Sequence, residues 1–101
     1  MTLEEVKEML GKTGFPVAYR AFSGRQEPPF IVYFTDGDEN FSADGLVYYS
    51  AHSIRVELYT RIKDQPAEAA VENALSSVYY TKQQVFIDAE GVYETIYEME
   101  V

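Results

Sequence analysis

Asp36, Asp38, Glu39 and Asp44 fall within ten residues, "DGDENFSADG" (36–45), around one large aromatic, Phe41. Such a cluster could hold calcium, run acid–base chemistry, or form a turn that touches a partner. The opening D-x-D-x-N matches the start of an EF-hand loop, whose sixth position is Gly and whose twelfth is a bidentate Glu. Here those positions are Phe41 and Val47, and no second helix follows, so calcium is not expected. Acid–base work needs a carboxyl desolvated in a cleft. A hydrophilic connector between two strands is a poor place for one. The stretch reads as a solvated connector whose glycines permit tight turns, with Phe41 either tucked back onto the sheet or offered to a partner.

The remaining reactive side chains are sparse. His52 is the single histidine and the chain has no cysteine, so neither a histidine-based triad nor a zinc site can be assembled. "GKTG" at 11–14 resembles the end of a phosphate loop, but a helix stands where the preceding strand should be. Arg55, Arg61 and Lys63 are interleaved with Glu57 and read as salt-bridge partners. No catalytic, cofactor-binding or metal-binding residue is assigned, and an enzyme is not expected.

The elements that must carry these residues follow from periodicity. In "TLEEVKEMLGKTG" Thr2 and Glu5 have capping-box spacing, and Leu3, Val6, Met9 and Leu10 form an apolar stripe; Gly11 or Gly14 ends the helix. "FPVAYRAF" turns extended after Pro16, with Val17 and Tyr19 in a short strand. "SGRQEPP" is a loop, and "FIVYF" (30–34) is a strand covered on both faces. "LVYY" (46–49) is extended. "SIRVELYTRI" alternates, with Ile54, Val56, Leu58 and Thr60 on one side and Arg55, Glu57, Tyr59 and Arg61 on the other. A second helix starts at an Asp64 or Gln65 cap with Pro66 as its first residue, and shows a stripe of Ala67, Ala70, Val71, Ala74, Leu75 and Val78. A hairpin around "DAEG" closes the chain. The expected fold is a single α+β domain over 1–101, with two helices packed on one face of a mainly antiparallel sheet, in the order α-β-β-β-α-β-β.

The last strand puts Tyr93, Thr95, Tyr97, Met99 and Val101 on one face and Glu94, Glu98 and Glu100 on the other. It lacks proline and lysine, so Tyr97, Met99 and Val101 are marked as a possible edge-strand contact, unless the strand is central and already paired. The chain has 17 acidic and 8 basic residues and a net charge of −9, which argues against gripping nucleic acid through its phosphates. Its nine tyrosines and six phenylalanines suit either strands or surfaces that contact proteins. No apolar run approaches the roughly 18 residues of a membrane span, and residues 1–15 lack the pattern of an export signal; a soluble protein made in the cytosol is expected.

Taken together, "FPVAYRAF", "PPFIVYF", "NFSADGLVYY", "IRVELYTRIKD" and "YETIYEMEV" resemble segments of the small tail-completion or tail-terminator (head-tail joining) proteins of long-tailed bacteriophages and prophages. The resemblance implies an α/β sandwich that forms a sixfold homo-oligomeric ring, caps the tail tube and meets the head-tail connector proteins. DNA would pass through the ring without specific binding, and an acidic bore would repel it. By the same resemblance the loop after "FIVYF" is the protein-contact loop, with Asp36, Asp38, Glu39, Asn40 and Phe41 as its contact residues. No cofactor and no membrane are implied, and localisation would be the host cytoplasm and then the virion. The alternatives are a head-completion or neck adaptor protein of the same module, a small acidic inhibitor that mimics DNA, and a small enzyme with a ligand pocket.

Overall fold

The computed structural model describes residues 2–35 and 53–100. Over these residues the chain is an α+β protein with two helices and a five-stranded, mostly antiparallel sheet. Along the sequence the elements are α1 (Leu3–Gly11), β1 (Val17–Tyr19), β2 (Phe30–Thr35), β3 (Ser53–Thr60), α2 (Gln65–Ala74), β4 (Tyr80–Ile87) and β5 (Val92–Glu100). In space the strands run β1-β2-β3-β5-β4, with β1 parallel to β2 and every other neighbour antiparallel.

Local chemistry sets the ends of these elements. The Thr2 hydroxyl accepts from the Glu5 N–H while the Glu5 carboxylate accepts from the Thr2 N–H, so two of the helix's orphan donors are satisfied. Asp64 caps α2 by accepting from the Ala67 N–H. Pro66 is the second helical residue, where its missing N–H costs no bond. The β4–β5 hairpin turns through Gly91 at φ +65°, a conformation that glycine adopts without steric cost.

Val6 and Leu10 of α1 and Ala67, Val71 and Leu75 of α2 join one core cluster with Ile31, Tyr33, Ile54, Val56, Leu58, Tyr97 and Met99 of the sheet. The register puts these strand residues on a common face: Ile31 opposes Leu58, Tyr33 opposes Val56, Val56 opposes Tyr97 and Ile54 opposes Met99.

One expectation is corrected. β5 is not an edge: it pairs with β3 on one side and β4 on the other. Tyr97 and Met99 are buried in the core cluster and cannot serve as edge contacts. Hairpin formation explains the placement, because β5 turns back from β4 and enters between it and β3, which leaves β4 as the edge among the described residues. Val101, the third residue marked for that contact, lies outside the described residues, as do the "LVYY" segment and His52.

Leu58 is fully buried at the centre of the cluster. Leu58→Ala should therefore cost about 2–5 kcal/mol. Urea titration checks this: the midpoint should fall with an unchanged slope, and a midpoint within error of the parent would contradict this placement of the core.

Candidate assembly surface

The sheet face turned away from the core cluster carries Phe30, Val32 and Phe34 of β2, Arg55, Glu57 and Tyr59 of β3, and Val92, Glu94, Ile96, Glu98 and Glu100 of β5, as the register requires. This face is not simply a wet one. Val32, Glu57, Val92 and Ile96 are all buried.

Strand geometry sorts its polar groups. Arg55 directly opposes Glu98, Tyr59 opposes Glu94, and Glu57 opposes Ile96. Arg55 Nε donates to Glu57 Oε2 at 2.7 Å, and its guanidinium lies 4.0 Å from Glu94 Oε2 and 3.8 Å from Glu98 Oε2. The Tyr59 hydroxyl sits 2.8 Å from Glu57 Oε1 and 3.1 Å from Glu94 Oε2. Its single proton serves one acceptor at a time. One cation and one hydroxyl thus hold three carboxyl groups together. Burial, then the neighbouring Glu57 carboxyl, pushes the Glu94 pKa up against the pull of Tyr59 and Arg55. Burial and the same two carboxylates push the Tyr59 hydroxyl up, so it stays protonated.

Beside this network lies a cleft of about 660 Å³, lined among others by Arg20, Arg25, Glu27, Phe30, Tyr59 and Arg61. The segment after β1 builds its outer wall. Arg20 has a left-handed backbone, φ 69°, costing an L-residue about 1–2 kcal/mol. Its N–H donates to the Tyr33 carbonyl at 2.9 Å, and the Ala21 N–H to the Tyr19 carbonyl at 2.8 Å, which holds that turn in place. The Arg20 guanidinium then lies 5.6 Å from the Phe34 ring and 5.9 Å from the Tyr19 ring. Phe22 meets Phe30 edge-on, and Phe30 stacks on Tyr59 with ring centres 5.0 Å apart. Arg61 and Arg25 both pair with Glu27. Among the described residues Arg20 has ring partners and no carboxylate.

A second polar cluster stands on the core side, between α2 and β4. The Glu68 carboxylate is buried and receives Lys82 Nζ at 2.8 Å, Lys63 Nζ at 2.9 Å and the Gln84 side-chain amide at 2.9 Å. Lys82 also reaches Glu72 at 2.7 Å, and the Tyr97 hydroxyl donates to Glu72 at 2.9 Å. Burial alone would raise the Glu68 pKa; the lysines and Gln84 outweigh it and hold the carboxyl at about 2. This cluster ties α2 to the edge strand. Among the described residues every buried side-chain nitrogen or oxygen has a partner. No three His, Cys, Asp or Glu side chains among them are arranged to hold a metal.

Of the residues expected from sequence, Arg55, Arg61 and Lys63 do act as ion-pair partners, of Glu57, Glu27 and Glu68 respectively. The contact-loop residues Asp36, Asp38, Glu39, Asn40 and Phe41 lie outside the described residues. The cleft and the Glu57–Glu94 pair were not expected. Their signal is faint but present: Arg55, Glu57 and Tyr59 share a parity with one another, and so do Glu94 and Glu98. Only the register brings the two rows together. No protein-family model matches the chain, and no curated protein or solved structure matches it. No helix among the described residues is long and apolar enough to cross a membrane.

The two carboxyl environments titrate with opposite sign. Glu68 is depressed in the folded protein, so its stabilisation is complete above the ordinary carboxyl range near 4.5 and is lost as the pH falls toward 2. Glu94 is raised, so acidification through its folded pKa favours the native state. Glu68→Gln should cost about 1–2 kcal/mol at pH 7, the lower part of the range for charged hydrogen bonds because both lysines are partly solvated. It should also flatten the loss of stability between pH 5 and pH 2. Glu94→Gln should leave stability at pH 7 unchanged or higher. Thermal melts of both variants across that range check the pair, and a Glu94→Gln protein that melts well below the parent at pH 7 would contradict it.

Proposed function

We propose that this chain is a structural subunit of a long-tailed bacteriophage or prophage, a tail-completion or tail-terminator protein that joins copies of itself into a ring at the end of the tail tube and has no catalytic role. The observation that carries the reading is the division of charge on the face away from the core. At the cleft beside β2, Arg20 is a cation with no carboxylate partner among the described residues, while Arg25 and Arg61 are paired with Glu27; Glu94, Glu98 and Glu100 stand in a row on β5, two strands away. A surface with opposite charge on its two flanks favours head-to-tail contact between copies, and such contacts close into rings when the rotation fits. The five strand-and-turn segments that resemble the tail-completion proteins support the same reading. So does the net charge of −9, because a ring of acidic subunits lets DNA pass without neutralising its phosphates.

Deletion of the coding sequence from the phage or prophage that carries it tests this reading. Electron microscopy should show tails of abnormal length without heads, and Arg20→Glu combined with Arg25→Glu should reproduce that defect in a folded protein. Tails of normal length joined to heads would contradict it.

A further inference from the structure

We infer that β4 pairs with β4 of a second copy of this chain, antiparallel and centred on Gln83, joining two five-stranded sheets into one of ten strands. This goes beyond the ring reading and stands without it.

The two edges of the sheet are unlike. β1 has three residues, is entered through Pro16 and ends at the left-handed Arg20, which are ordinary ways of blunting an edge. β4 has eight residues and pairs with β5 residue for residue from Tyr80↔Met99 to Ile87↔Val92, with no bulge to twist it away. Between Tyr79 and Ile87 the single charge is Lys82, and its amine is already held by Glu68 and Glu72. Val85 is 39% exposed, Phe86 49% and Tyr79 85%. Among the described residues no strand covers the outer side of β4, and an edge of this length with one, already paired, charge is a template for another strand.

The order of side chains selects the partner. "YYTKQQVFI" is close to a palindrome in residue type about Gln83. A twofold axis normal to the sheet keeps equivalent faces together, so facing residues must share parity. With Gln83 opposite its own copy, Tyr80 meets Phe86, Thr81 meets Val85, Tyr79 meets Ile87 and Lys82 meets Gln84. Aromatic and β-branched cross-strand pairs of this kind stabilise a ladder, and no like charges oppose one another. Sliding two residues one way sets Lys82 against Lys82. Sliding two residues the other way sets Tyr80 against Asp88 and Lys82 against Phe86. The chain's net negative charge works against association of copies, and β4 from Tyr80 to Ile87 carries no acidic side chain to add to that repulsion.

The chain has no cysteine, so site-directed thiols report the register cleanly. In the inferred pair the two Gln83 Cα atoms lie about 5 Å apart, within disulfide reach. Val85 shares that face but opposes Thr81, so its two Cα atoms are about 14 Å apart. Full-length Gln83→Cys and Val85→Cys proteins should first be checked for folding by circular dichroism, then oxidised in a glutathione buffer. The Gln83→Cys protein should form a disulfide-linked dimer at least about tenfold faster than the Val85→Cys protein, since only its thiols are held in reach. The parent protein should sediment as a concentration-dependent dimer, and Gln83→Lys should shift it toward monomer by about fivefold, since like charges would face each other. Equal crosslinking rates, faster crosslinking at position 85, or a parent monomeric throughout would each overturn the inference.

Discussion

The antiparallel pairing of β3 with β5, unbroken from Ser53↔Glu100 to Thr60↔Tyr93, is the constraint on which the rest of the structure depends. It places both strands in the middle of the sheet, so neither has a side that water can satisfy freely. On one face the pairing sets Val56 against Tyr97 and Ile54 against Met99, and the two helices contribute to the cluster around them. On the other face it sets Arg55 against Glu98 and Tyr59 against Glu94. Those half-buried groups gather around Glu57, the buried carboxyl of the network, which would cost several kcal/mol if left without a partner.

Electrostatics therefore does different work on the two faces. Glu68 is a buried carboxylate surrounded by donors, and it locks α2 to the strand that would otherwise be held by β5 alone. The Glu57–Glu94 pair is the reverse case, two carboxyl groups kept together under one guanidinium and one hydroxyl. The first cluster fixes the edge of the sheet. The second stands beside an aromatic cleft lined by Arg20, Arg25 and Arg61 and by Glu27 and Glu90.

Much of this was legible in the sequence. The capping box at Thr2 and Glu5, the alternation from Ile54 to Thr60 and the turn at "DAEG" each depend on neighbours within a few residues, and each stands in the structure as expected. Strand order is different, because it is decided between segments. The lack of proline and lysine in β5 is compatible with an edge and equally with a centre. What excludes the edge is a hairpin partner that returns on its outer side, and β4 with its mixed pattern gave little sign of doing so. The Glu57–Glu94 contact was hidden for the same reason: 37 positions separate the two residues, and only the β3–β5 register joins them. The cleft depends further on Arg20 adopting a left-handed backbone, which no residue preference announces.

The proposed joining of this chain to further copies rests on two features of the described residues, a long strand with no neighbour on its outer side and the charge sorted across one face. Native-state hydrogen exchange read at single amides tests that idea most directly, by comparing dilute with concentrated protein. The outward-pointing amides of β4 should exchange quickly when dilute and become protected when concentrated, while those of β5 stay protected in both. Exchange in β4 that is indifferent to concentration would mean that this edge meets no partner, and would contradict the account.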